Sequence, residues 1–242
     1  MSLLANLNTD DSIQNETDSV GGGGVINSGL YLSTITLAYI TKAASEALGL
    51  VLHAKTDTGK DIRETFWMTS GKDKGCKNYY EKDGKKNYLP GFNHANSLAL
   101  LTVSKEINQL KTEEKVVKLW NSDAKAEVPT KVQVITELLN QEVILGILKQ
   151  VVDKTAKNDS GVYVATGETR EQNTIDKIFR ARDKMTTAEI RAQATEPAFY
   201  DTWKDKWTDK IQDKSNKGGA GTAGAPKAAA GAAPKPKQSL FA

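Results

Sequence analysis

Between Arg63 and Phe92 aromatic side chains alternate with cationic ones: Arg63, Phe66, Trp67, Lys72, Lys74, Lys77, Tyr79, Tyr80, Lys82, Lys85, Lys86, Tyr88 and Phe92. A single nucleic-acid strand offers two repeating targets, phosphate charge and base faces, and these residue types answer both. From Gly71 to Tyr88 six lysines face three acids, Asp73, Glu81 and Asp83. An aromatic-rich segment this polar is poorly suited to a core. The chemistry expected is stacking on any base, with lysine–phosphate contact supplying the salt-sensitive part of the affinity. The residues expected to carry it are Arg63, Trp67, Lys72, Lys74, Lys77, Tyr79, Tyr80, Lys82, Lys85, Lys86 and Tyr88. Phe66 and Trp67 are neighbours on an expected strand, so they point to opposite faces and one of them belongs to the core.

Catalytic chemistry has little to work with. A zinc site needs several Cys or His ligands, whereas Cys76 is the only cysteine and His53 and His94 the only histidines. Asp57, Asp61 and Glu64 sit among Lys55, Lys60 and Arg63 and read as a mixed surface rather than a magnesium site. Gly21 to Gly24 lacks the Gly-Lys-Ser/Thr ending of a phosphate-binding loop and reads as a linker. Cys76 lies beside Lys74 and Lys77, but no base is near it in sequence. No catalytic residue, metal or cofactor is expected.

The elements that must position the aromatic and basic stretch lie between two compositionally biased ends. Residues 1–24 carry Asp10, Asp11, Glu16 and Asp18, no Lys or Arg, and close on four glycines. Residues 214–242 carry five lysines and no acid, and are otherwise mostly Gly, Ala and Pro. Neither has the apolar content to offset the entropy of ordering, so both are expected to be disordered, leaving one domain over residues 25–213. The net charge of +3 conceals this arrangement, because the acidic head and basic tail cancel in the sum. With one cysteine no intrachain disulfide can form, which favours a reducing interior. No apolar run approaches the roughly 18 residues of a membrane span, so no membrane partner is expected.

Within that domain, runs of period two predict a three-stranded meander over Gly29–Ile40, Leu48–Ala54 and Ile62–Met68. The pattern then breaks at Pro90-Gly91-Phe92, and Ala95, Leu98, Leu101 and Ile107 predict a helix over Asn93–Asn108. Further β-rich runs cover Lys131–Leu139 and Glu142–Asp153, with Val162-Tyr163-Val164 and Asn173–Phe179 completing the sheet. Two helical pieces, Thr187–Ala194 and Pro197–Ile211, close the ordered part, the second carrying Trp203 and Trp207 on an apolar face expected to dock onto the domain. Trp120 is a weaker candidate for stacking, and Lys131 and Lys149 have no more than surface status. The expected fold is mainly β, a five-stranded OB-fold barrel with additional helices and disordered termini; a sandwich or an α+β sheet would leave a similar pattern.

Four segments resemble bacteriophage single-stranded DNA-binding proteins with a single OB-fold: Arg63-Glu-Thr-Phe-Trp-Met-Thr-Ser-Gly, Asn87-Tyr-Leu-Pro-Gly-Phe-Asn, Leu98-Ala-Leu-Leu-Thr-Val-Ser-Lys-Glu and Ile175-Asp-Lys-Ile-Phe. The likeness spans roughly Ser28 to Phe179. It implies a protein that coats single-stranded DNA exposed in phage replication and recombination, in the cytoplasm of the infected bacterial host. Many such proteins end in an acidic tail tipped by an apolar or aromatic residue that docks replication partners. Here Leu240-Phe241-Ala242 keeps the aromatic, but Lys227, Lys235 and Lys237 make the approach basic. The tail (Lys227, Lys235, Lys237, Phe241) is therefore expected to contact DNA, duplex included, or replication and recombination proteins, and the acidic head to take over the competing role; the alternative for each end is a purely solubilising appendage. Two other functions fit the same residues: a structural or scaffold protein that assembles through its β-domain, and a strand-annealing or RNA-binding protein using the same groove.

Overall fold

The computed structural model describes residues 24–121, 124–159 and 163–215. The acidic segment ahead of Gly24, Val162, and the tail with Lys227, Lys235, Lys237 and Phe241 lie outside the described residues.

The chain is mainly β, with most of its strands in one sheet and few helices. The expected meander is present as β1 (Gly29–Lys42), β2 (Leu48–Thr56) and β3 (Asp61–Trp67), paired antiparallel in that order. Lys85 and its neighbours fall in a hairpin, β4 (Tyr79–Lys82) and β5 (Lys85–Tyr88), which forms a separate two-stranded sheet. Its turn is Asp83-Gly84, at φ 52° and 71°, the left-handed pair that matches the twist of a two-residue hairpin loop. The segment expected as a polar loop is therefore structured at its C-terminal half.

Helix α1 (Pro90–Val103) begins earlier than its apolar spacing suggests. Proline is tolerated in the first turn, where its missing N–H has no partner to lose, so the expected break at Pro90-Gly91-Phe92 is the start of the helix. It stops at Ser104, which turns left-handed at φ 57°. Next comes a hairpin, β6 (Glu113–Asn121) with β7 (Ala126–Val134), whose first strand the charged sequence Glu-Glu-Lys-Val-Val-Lys conceals. The long β8 (Glu142–Lys157) and β9 (Tyr163–Arg180) follow, and the two short runs expected near Val162 and Asn173 are one continuous strand. The chain closes with α2 (Thr187–Arg191), α3 (Ala198–Trp207) and β10 (Ile211–Asp213), the last pairing in parallel with β8.

Strand β1 organises the sheet. Its first half pairs with β8 on one side, its second half with β2 on the other, and Tyr39 and Ile40 reach β7. The order along the sheet is thus β3-β2-β1-β8-β9. Ile35, Leu50, Leu52, Phe66, Leu145, Ile147, Ile175 and Ile178 form the interior, and α1 fills it with Ala95, Leu98 and Leu101. The run Val143 to Leu148 is buried throughout, because β8 is covered on both faces. Its outer face, Ile144 and Leu148, packs with Phe179 under Trp203 of α3, with Tyr200 and Trp207 packed against them. Trp203 sits where a Cβ on Gly146 would stand only 3.1 Å from its ring, and its indole N–H donates to Asp176 Oδ2 at 2.7 Å. The expected docking role of Trp203 and Trp207 is thereby observed.

Gly91 sets the position of α1. A Cβ at Gly91 would lie 2.2 Å from the carbonyl oxygen of Trp67, so the first turn of the helix rests directly on the backbone at the end of β3. Backbone cannot swing aside as a side chain can. Gly91→Ala is expected to lower the urea unfolding free energy by about 1–3 kcal/mol, the usual cost of overpacking, with far-UV circular dichroism retained. An unchanged unfolding midpoint would contradict the close approach.

Candidate nucleic-acid interface

Among the described residues no backbone ladder joins the end strands β3 and β9, and α1 packs against both. Glu64 bridges the gap. Alternation along β3 sends Ile62, Glu64, Phe66 and Met68 inward and Arg63, Thr65 and Trp67 outward, and the Glu64 carboxylate accepts from Thr174 Oγ1 at 2.8 Å and from the Ile175 N–H of β9. Burial pushes the Glu64 carboxyl above its ordinary 4.5, opposed by these two hydrogen bonds and by Lys214. Beside it β9 carries a bulge: Gly146 faces Lys177 and Ile147 faces Ile175, which leaves Asp176 unpaired. The Asp176 carbonyl instead meets His94 Nε2 at 3.1 Å. A carbonyl can only accept, so Nε2 carries the proton. Burial holds the His94 pKa below 6.5, leaving the ring neutral at pH 7, tilted against Phe66 at 5.2 Å between centroids.

Over this seam opens a cleft of about 1010 Å³. Glu64, Phe66, His94, Thr174 and Ile175 line it, together with Trp67, Lys74, Lys77, Tyr79 and Tyr80. Phe66 is 2% exposed and Trp67 is 44% exposed, so the expected division of that pair between core and surface is observed. The Trp67 ring covers Gly49 on β2, where a Cβ would stand 3.0 Å from it, and this fixes the ring from beneath. Tyr80 is 45% exposed and also borders a smaller cavity of about 390 Å³ against α1, Lys177 and α2. Tyr79 is half-buried, with the ammonium groups of Lys77 at 5.6 Å and Lys86 at 5.0 Å from its ring centroid. The Tyr88 ring lies tilted against Phe92 of α1 at 4.8 Å between centroids, which ties the hairpin to the helix.

Five of the sequence-predicted site residues therefore meet in one place: Trp67, Lys74, Lys77, Tyr79 and Tyr80. Lys72 lies on the loop before the hairpin, and Lys82, Lys85 and Lys86 on the hairpin itself, all exposed and outside the cleft lining. Arg63 lies on the outer face of β3, where its guanidinium donates to Tyr39 Oη at 3.4 Å. Lys131 is paired with Glu114 on the β6–β7 hairpin at 2.8 Å, and Lys149 with Glu171 at 2.9 Å. The cleft is not uniformly positive, since Glu64, Asp73 and Glu81 line it beside the two lysines. Sequence reasoning missed Glu64, His94 and Thr174 as lining residues. The one signal for them was Glu64 itself, a charge at a core-facing position of an alternating strand. Among the described residues no cluster of three or more His, Cys, Asp or Glu is placed to hold a metal ion, and no helix is long and apolar enough to cross a membrane.

No protein-family model matches the chain, and no curated protein matches it.

A carboxyl whose pKa is higher folded than unfolded holds its proton more tightly in the native state. It therefore stabilises the fold at low pH, and that contribution fades as pH rises through the raised value. The difference in unfolding free energy between the parent protein and Glu64→Gln is expected to shift against the parent as pH climbs from 4.5, then level off. Urea titrations across that range check it; a difference independent of pH would contradict the burial of Glu64.

Proposed function

We propose that β1, β2, β3, β8 and β9 form the partly open five-stranded barrel of an OB-fold, and that the protein binds single-stranded DNA along the cleft without sequence preference. Strand order supports the fold: β1 neighbours both β2 and β8, α1 falls between the third and fourth of these strands, and the Glu64 side chain of the third reaches the fifth. The observation that carries the function is the meeting of Trp67, Tyr79 and Tyr80 with Lys74 and Lys77 in one cleft, aromatic side chains beside cations. Bases stack on Trp67 and Tyr80, whose exposed faces accept any base. Phosphates run outside the acidic part of the lining, toward Lys72, Lys82, Lys85 and Lys86.

In this reading the protein acts by binding and not by catalysis. It coats single strands exposed during phage DNA replication and recombination in the bacterial cytoplasm, as the resemblance of its segments implies. The basic tail adds phosphate contacts that do not need unpaired bases, and so extend to duplex.

Fluorescence titration of the full chain with a homopolymer oligonucleotide and with its duplex, each at low and high salt, tests the reading. Quenching and tighter binding to the single strand, retained in part at high salt, are expected. Equal binding to both that vanishes with salt would leave charge acting alone and end the stacking reading. Trp67→Ala and Tyr80→Ala are each expected to weaken single-strand binding by about 1–3 kcal/mol. Lys82→Ala with Lys85→Ala should instead flatten the logarithmic salt dependence by about 0.7 for each phosphate that is no longer neutralised, with little change at high salt.

A further inference from the structure

Away from the cleft, the β6–β7 hairpin presents an edge that no described strand covers, because β6 pairs only with β7. β6 holds nine residues without a proline, and its Val116 and Trp120 are 61% and 59% exposed. β7 differs: Pro129 has no amide hydrogen, which interrupts the donors along that strand. Soluble proteins usually blunt an open edge with lysines, and Lys115 and Lys118 serve that purpose against chance partners. The strand itself carries the opposite charge that Lys118 lacks, at Glu114.

We propose that β6 pairs antiparallel with β6 of a second copy of this chain, about a two-fold axis through Val116. In that register Glu114 of each copy lies opposite Lys118 of the other, Val116 lies opposite Val116, and Trp120 lies opposite Thr112. Residues two apart share a face of a strand, so both ion pairs, the valine contact and the tryptophans fall on one side of the new sheet. Moving the axis by one residue, to Val117, sets Glu114 against Trp120 and Val116 against Lys118 and leaves both lysines unmatched. The charges thus favour the Val116 register over the Val117 one.

Within a single chain the same groups are incompletely paired. Among the described residues no carboxylate is within ion-pair distance of Lys118, whereas Glu114 is held by Lys131 at 2.8 Å with both side chains largely exposed. Glu114 would then lie between Lys131 of its own chain and Lys118 of the second copy. A two-fold contact consumes both edges, so it closes at a dimer and does not propagate into a fibre. Two paired edges bury a small interface, and the association is accordingly concentration-dependent. None of this rests on what the cleft binds.

Sedimentation velocity of the full chain, free of nucleic acid and over a range of concentrations, is expected to show a monomer–dimer equilibrium. Lys118→Glu alone and Glu114→Lys alone each set like charges opposite one another and should remain monomeric. An equimolar mixture of the two variants should recover the dimer, because each then meets the opposite charge, and that recovery also shows that both are folded. The double variant carrying both substitutions should dimerise by itself. A parent protein that is monomeric at every concentration, or a dimer indifferent to the swaps, would overturn the proposal. So would a Lys118→Glu variant whose only change is weaker binding of a single-stranded oligonucleotide, since the face would then belong to nucleic acid.

Discussion

The arrangement of this protein depends on a gap. Its two end strands, β3 and β9, share no backbone ladder, and the carboxylate of Glu64 reaches from one to the other, taking the Ile175 N–H and the Thr174 hydroxyl. A carboxylate is longer than the reach of a backbone carbonyl, so it joins the strands while holding them apart. The bulge at Asp176 belongs to the same compromise. An extra residue bends β9 and turns its carbonyl toward His94 and its carboxylate toward Trp203, so one irregular position links the seam to α1 on one side and to α3 on the other. Had the ladder closed, the walls that carry Glu64 and Thr174 would be interior and the cleft would have no floor.

What surrounds the seam follows from close approach of backbone. Gly91 lets α1 rest on the end of β3, Gly49 lets the Trp67 ring approach β2 closely, and Gly146 makes room for Trp203 beneath α3. Each glycine replaces a side chain by a neighbour, and together they hold the aromatic groups in fixed positions without burying them all. Tyr79 shows the balance: the ammonium groups of Lys77 and Lys86 lie over its ring, so lysines also order the aromatic wall. In the proposed role this couples the two kinds of interaction, since a phosphate drawing Lys77 or Lys86 away would loosen the face on which a base rests. In the same proposed role the acids in the lining act in the opposite sense, disfavouring phosphates at the floor of the cleft.

Much of the period-two pattern was legible because it reports a physical alternation. The meander, the inward Phe66 and outward Trp67, and the docking of Trp203 all follow from which side of a strand or helix faces the core. Where one period was overlaid by another requirement, the reading failed. β6 was invisible because an exposed edge strand needs no apolar alternation, and the first turn of α1 was hidden behind a proline that helices accept only at their start. The hairpin of Tyr79 to Tyr88 had its signal in Asp83-Gly84, but the surrounding lysines made it look like a loop.

The sequence by itself determined the chemistry within reach: aromatic and basic side chains concentrated between Arg63 and Phe92, with too few histidines and cysteines for a zinc site. The tertiary structure decided which of those side chains act together. Trp67, Lys74, Lys77, Tyr79 and Tyr80 share a cleft while Arg63, on the same strand as Trp67, turns to Tyr39 instead. It also brought in Glu64, His94 and Thr174, which lie far from one another along the chain. Such a meeting cannot be read from spacing. It depends on β9 coming within side-chain reach of β3, with Thr174 placed against Glu64 from 110 positions further along the chain, and that approach is set by the packing of the whole sheet around one core.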